Sequence, residues 1–244
     1  MGPETLRTGS ECAPPEKTVV RAGTFRYSAI QLLVALALLF FSAPFVGNLR
    51  GAELVEPVLL TLVMVFAVLA VGGRRRSLVI ALLLVAPALG GKWLNHVRPD
   101  STSQLIFTTA TILFFGFVAA QLLRFIFVTR RVDANVLCAG LAGYLILGLL
   151  WTPAYLMVAS INPRAFSFPQ GSTMDGFNAF YFSFITLCTV GYGDFTPVSR
   201  VAKMLAVTEA IAGLFYVAVL ISRLVAIYSV PQDPAGENIL PSAK

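Results

Sequence analysis

Apolar residues fall into six long runs and one short run, separated by brief polar stretches. About 20 consecutive apolar residues cross a bilayer as a helix, so the length of each run predicts an element. The predicted spans are 27–45, 54–71, 77–89, 105–123 with an extension toward Val128, 134–158 and 200–228. The third is the shortest. The segment 174–187, MDGFNAFYFSFITL, is apolar but too short to cross, and reads as a buried or re-entrant helix. Residues 1–26 and 231–244 are polar, contain prolines and read as tails. The pattern predicts an all-α membrane protein of six transmembrane helices, with one re-entrant helix before the last.

Composition and charge fit that map. Hydrophobic residues make up 57% of the chain and charged residues 12%, against about 25% charged in a soluble domain. A water-soluble enzyme is thereby excluded, and no constellation for covalent chemistry appears. The net charge is +6, but the bases flank apolar runs, so topology explains them better than a nucleic-acid partner does. With the N-terminus inside, Arg50, Lys92, Arg98, Arg164, Arg200 and Lys203 face outward, and the other twelve of the 18 Lys and Arg face inward. This positive-inside bias places both termini in the cytoplasm. The long polar start and long first apolar run fit a cleaved signal peptide poorly. With the compact build, they suggest a bacterial inner membrane. Cys12, Cys138 and Cys188 form no CxxC pair and His96 is the single histidine, so neither a disulfide framework nor a multi-histidine metal site is expected.

Directly after the short helix comes Thr186-Leu187-Cys188-Thr189-Val190-Gly191-Tyr192-Gly193-Asp194. This resembles the T-x-x-T-V-G-Y-G-D filter signature of the tetrameric potassium-channel superfamily at every defined position. A potassium ion entering a dry pore must exchange its water shell for other oxygens, and rings of backbone carbonyls supply them. Successive carbonyls face one way only if alternate residues take left-handed angles, which Gly191 and Gly193 adopt cheaply. The resemblance implies an ion-binding filter over Thr189, Val190, Gly191, Tyr192 and Gly193, with K+ at Thr189 to Tyr192. Thr189 would add its hydroxyl at the inner end. Val190 and Tyr192 would pack behind the filter. Asp194 would attract cations at the outer mouth, with Thr186 and Asp194 in supporting places. The C-terminal end of the short helix carries partial negative charge and favours a cation there. One chain holds one filter, so a ring needs several copies; the family resemblance makes the assembly a homotetramer.

The resemblance covers about residues 133–228, which divides the chain into an N-terminal tail (1–26), a four-helix domain (27–131), a pore domain (132–230) and a C-terminal tail (231–244). Gly213 stands where related channels often have a hinge glycine; close helix packing is the competing reason for a small residue there. Leu214, Val217, Ile221 and Val225 form one apolar stripe, suited either to lining an inner cavity that gates by dewetting or to plain helix packing. Many relatives carry paired tryptophans where this chain has Tyr181 and Phe182. Tyr181 keeps a hydroxyl that can reach Asp194; Phe182 has none. Ile185 stands where some bacterial channels have a glutamate.

The fourth span, LIFTTATILFFGFVAAQLLRFIFVTRR, carries Arg124, Arg130 and Arg131 only at its inner end. Without a ladder of bases, steep voltage sensing is not expected. The tail beyond 230 is too short for a nucleotide- or calcium-binding domain, so gating is expected to answer to the membrane, ions, pH or a partner. Arg74, Arg75 and Arg76 form a tight inner loop, either setting topology or touching anionic lipid. Glu209 is the one carboxylate well inside the last span, a modulatory candidate that either bonds behind the filter, senses protons or pairs structurally. Trp93 and Trp151 suit interfacial or packing positions.

The function read from the sequence is a passive, potassium-selective channel, with membrane lipid and K+ as partners and no cofactor beyond the permeant ion. A non-selective cation channel and a non-conducting regulatory subunit are the alternatives. A transporter is disfavoured, because no internal repeat accompanies the single filter.

Overall fold

The structure is a computed structural model that describes residues 25–46, 55–71, 75–97, 101–129 and 134–228. Among these lie seven helices: α1 (Phe25–Val46), α2 (Val55–Val71), α3 (Arg75–Val97), α4 (Ser101–Val128), α5 (Ala134–Ile161), α6 (Gly176–Leu187) and α7 (Arg200–Tyr228). Most of both predicted tails, with Cys12 and Arg74, lies outside the described residues.

Helices that are apolar on all sides have no solvent face and belong in a core or a membrane. Three described stretches are long and apolar enough to cross one: Leu105–Val128, Ala134–Ile161 and Arg200–Ala226. The apolar stretches Ala29–Phe45, Pro57–Ala70 and Arg76–Gly91 are shorter. At about 1.5 Å per residue, the 17 residues of α2 reach about 26 Å, just under a hydrocarbon core of about 30 Å.

The third helix departs from expectation. It runs Arg75–Val97 rather than 77–89 and carries Pro87 in its interior. A proline removes one backbone bond, and a glycine pair weakens a helix further, so the sequence pattern ends there. Packing overrides it: a Cβ added at Gly91 would lie 2.7 Å from Phe107 Cβ of α4. Arg75 and Arg76 belong to the first turn of α3, not to a loop.

α4 lies between α3 and α5, and α1 packs on α2 and α5. One core joins them through Leu32 and Leu36, Met64, Phe114 and Phe115, and Ile146. A second core lies around α6 and unites Tyr155, Phe166, Phe182, Ile185, Phe195 and Ala202. The fold is not purely helical. The two-residue strands β1 (Phe166–Ser167) and β2 (Thr196–Pro197) pair antiparallel, Phe166 against Pro197 and Ser167 against Thr196. Val198 and Ser199 N–H both donate to the Ala165 carbonyl, at 2.8 and 3.1 Å. This pairing closes the base of the segment that contains α6 and the loop behind it. Strands this short carry no readable alternation, so the sequence pattern misses them.

Candidate functional site

α6 starts at a defined cap. Asp175 takes an extended conformation and its carboxylate accepts the Asn178 N–H at 2.8 Å. An acidic cap satisfies an orphan donor and complements the positive end of the helix dipole. The helix therefore begins at Gly176, two residues inside the apolar run 174–187.

At the other end the chain turns back on itself. Cys188 N–H donates to Phe184 O at 3.0 Å and Thr189 N–H to Thr186 O at 2.9 Å. Val190 and Gly191 N–H both reach the Ile185 carbonyl, at 2.8 and 3.3 Å. Ile185 thus ties down the start of the loop with its backbone while its side chain is buried.

Beyond that turn the backbone changes hand at every second residue. Thr189, Gly191 and Gly193 have φ of 57°, 56° and 82°, whereas Val190 and Tyr192 have none in the left-handed region. Such alternation turns successive carbonyls to one side. The two glycines take these angles without penalty. Thr189 does not: a β-branched residue at positive φ is a genuine outlier, and strain of this kind collects at functional sites. The glycines were legible in the sequence; the handedness of Thr189 was not.

Residues 188–194 are exposed in the single chain. Val190 and Tyr192, expected to pack behind the loop, are 50% and 73% exposed and find no such packing on their own chain. Asp194 is held from α6, its carboxylate accepting from Tyr181 Oη at 2.8 Å. Phe182 turns the other way, is buried, and packs edge-on against Tyr155 at 4.8 Å between ring centres.

Polar side chains on α5 and α7 hold the back of α6. Glu209 of α7 is fully buried. It accepts from Tyr155 Oη of α5 in a short hydrogen bond, and from Ser183 Oγ of α6 at 2.5 Å. Ser183 Oγ also lies 2.8 Å from the Gly148 carbonyl of α5. Three helices therefore meet at one carboxylate. Tyr144 of α5 donates to the Leu187 carbonyl at 3.3 Å, and its hydroxyl lies 3.5 Å from Cys188 Sγ. Tyr216 of α7 donates to the Gly140 carbonyl at 2.8 Å. The sequence reading singled out Glu209 but not Tyr144, Tyr155, Ser183 or Tyr216. The signal was available: a hydroxyl deep in an apolar run must find a partner.

Gly213 lies where α7 touches the end of α6; an added Cβ would stand 2.7 Å from the Leu187 carbonyl oxygen. That is a packing reason for the glycine, and α7 runs through it as one α-helix. Leu214, Val217, Ile221 and Val225 are all exposed on α7. At the far end of α7, the Arg223 guanidinium donates to the carbonyls of Phe127 and Thr129, at 2.9 and 3.1 Å, and so caps α4. The side chain of Trp151 is partly buried, with its indole N–H unpartnered; Trp93 lies outside the described side chains.

Comparison with known proteins falls on this same region. Residues 136–229 match the ion-channel family. Over 63 residues the chain is 38% identical to two pore potassium channel c of Oryza sativa subsp. japonica, covering 26% of this chain and 14% of that protein. Over 88 residues it is 34% identical to inward rectifier potassium channel Kirbac3.1 of Paramagnetospirillum magnetotacticum, covering 36% and 28%. Two pore potassium channel b of Oryza sativa is 36% identical over 86 residues, covering 34% and 24%. The chain thus spans less than a third of the length of each of these relatives. No solved structure matches it. The matched region takes in α5, α6, the exposed loop and α7. With the long apolar helices, it makes the chain an integral membrane protein.

Proposed function

We propose that this chain, whose residues 136–229 match the ion-channel family, belongs to the potassium-channel superfamily and is one subunit of a homotetrameric channel that passes K+ down its gradient. One observation carries the reading: a backbone of alternating hand at Thr189, Gly191 and Gly193, directly after a helix C-terminus and exposed in the single chain. Irregular backbone at membrane depth is tolerated only where protein or a water-filled pore encloses it. Copies around an axis provide that enclosure, and their carbonyls replace the water shell of the ion. The negative end of the α6 dipole adds attraction for a cation. In this reading K+ sits at Thr189, Val190, Gly191 and Tyr192, Gly193 completes the ring, and Thr186 and Asp194 support it.

The finer assignments extend this reading. Leu214, Val217, Ile221 and Val225 line the inner cavity or its gate. Glu209 braces the inner helix against α6, so that movement of α7 is felt behind the filter. Gly213 serves close approach first, and any hinge there works against the Leu187 carbonyl. Arg124 is the one base within described α4, which supports gating without steep voltage dependence. The distribution of bases supports cytoplasmic termini.

The test is a planar bilayer with K+ on one side and Na+ on the other. A reversal potential near the K+ value, with barium block, is the expected result. A reversal near zero would replace this reading with a non-selective pore.

A further inference from the structure

A cavity of about 590 Å³ lies between the four-helix unit and the helix that carries the filter. Leu39 of α1, Leu60 of α2, Phe107 and Phe115 of α4, Leu156 of α5 and Phe180 of α6 are among the side chains around it. Its size falls in the range of about 300–1,000 Å³ typical of small-ligand sites. Part of its wall belongs to the long apolar stretches of α4 and α5, which places it within the membrane-spanning body of the chain.

The hydroxyl donors on the walls are already used within their own helices. Ser42 donates to the Leu39 carbonyl at 3.0 Å, Thr111 to Phe107 at 2.8 Å and Thr152 to Gly148 at 3.2 Å. Asp175 is engaged by the Asn178 N–H at the start of α6. Water holds a cavity only where two to four polar partners receive it, and apolar cavities stay dry. An empty cavity forfeits dispersion contacts along its whole lining. A peptide segment would bring backbone donors and acceptors that these walls do not satisfy. Hydrocarbon fits, and the bilayer presents it at high concentration.

We propose that this cavity takes one acyl chain of a membrane phospholipid, seated against α6. The inference rests on the membrane location of the chain and is independent of what the pore conducts. The occupant lies against a cluster of edge-on and tilted rings: Phe180 packs on Phe40 and Phe184 at 4.8 and 4.7 Å between ring centres, and Phe40 packs on Phe184 at 4.5 Å. The ligand therefore shares a wall with the pore helix, two turns before the filter.

The test uses the full chain in phosphatidylcholine vesicles containing a phosphatidylcholine with a diazirine in mid-chain. After irradiation, labelled residues are mapped by mass spectrometry. Label is expected at Leu60 and Phe180 as well as at the outward-facing Phe41 and Leu83. In Leu60→Trp and in Ala43→Phe, which fill the cavity, label at Phe180 falls several-fold while label at Leu83 is unchanged. Leu59→Phe is the milder variant if either disturbs folding, and Leu83 labelling reports on that. Wild-type protein labelled at Leu83 but not at Phe180 would overturn the proposal and leave a neighbouring subunit as the occupant. Equal Phe180 labelling in the filled variants would also overturn it. Neither outcome depends on conduction, so a silent or non-selective pore does not bear on this result.

Discussion

The four-helix unit and the segment from α5 to α7 solve the same problem to different degrees. α1, α2 and α4 bury Leu32, Leu36, Met64, Val63, Phe114 and Phe115 almost completely within one chain. The large side chains that the four-helix unit leaves exposed include aliphatic and aromatic ones such as Phe41 and Leu83, and lipid satisfies these. α7 is different. Only 17% of its apolar window is buried, against 50% for α5, and the loop before it exposes backbone and Asp194 as well as side chains. Lipid cannot satisfy that loop. One region is finished within the chain, and the other has its polar frame in place and its outer surface still to be covered.

The sharpest way to break this contrast is Gly191→Ala. No neighbouring atom lies within 4 Å of an added Cβ in the chain, so crowding within the subunit plays no part. The left-handed angle costs an L-residue about 1–2 kcal/mol in every copy. K+ flux from liposomes should vanish while the helical content is unchanged; retained flux would show that the alternating backbone does not carry conduction.

Next in size is Phe215→Ala on the exposed face of α7 set against Phe41→Ala on α1. If copies cover α7, the first removes a packed aromatic, worth about 3–5 kcal/mol where fully buried, and shifts the detergent-solubilised protein from tetramer toward smaller species. The second should leave the mass unchanged. Equal behaviour of the two would erase the distinction between the regions.

Glu209→Ala addresses the frame itself. It strands the buried Tyr155 hydroxyl, at about 1–3 kcal/mol, leaves Ser183 with the Gly148 carbonyl alone, and should lower the thermal midpoint clearly. Glu209→Gln keeps an acceptor and should recover part of the loss. Gly213→Ala places a methyl against the Leu187 carbonyl, an overpacking of about 1–3 kcal/mol, read in the same melt. A gain in stability there would favour the hinge reading over close packing. Smallest is Arg223→Ala. It frees two carbonyls at the end of α4, and a loss of about 1 kcal/mol is expected, since water at the helix end replaces part of the bonding.

Much of this contrast was legible in the sequence. Run length located the seven described helices, and three of the predicted spans are long and apolar enough to cross a membrane. The left-handed angles at Gly191 and Gly193 were legible because glycine takes positive φ without penalty. Three kinds of feature were not. The extent of α3 was hidden because its contact with Phe107 outweighs Pro87 and the glycine pair, and sequence pattern contains no tertiary contact. The strands β1 and β2 are too short to show a period. The partners of Glu209 were invisible because Tyr155 and Ser183 stand 54 and 26 residues away. Distance along a chain says nothing about which hydroxyl meets which carboxylate.

The pairing of β1 with β2 has one more consequence. It buckles the segment from Phe166 to Pro197 at its base, and bonds within the chain hold the loop inside: Ile185 to Val190, Tyr181 to Asp194, Tyr144 to Leu187. The left-handed angles at Thr189, Gly191 and Gly193 are already present in the single chain. In the tetramer proposed above, each subunit would arrive as a prefabricated quarter, and one folded wrongly at the buckle could be refused before it spoils a ring.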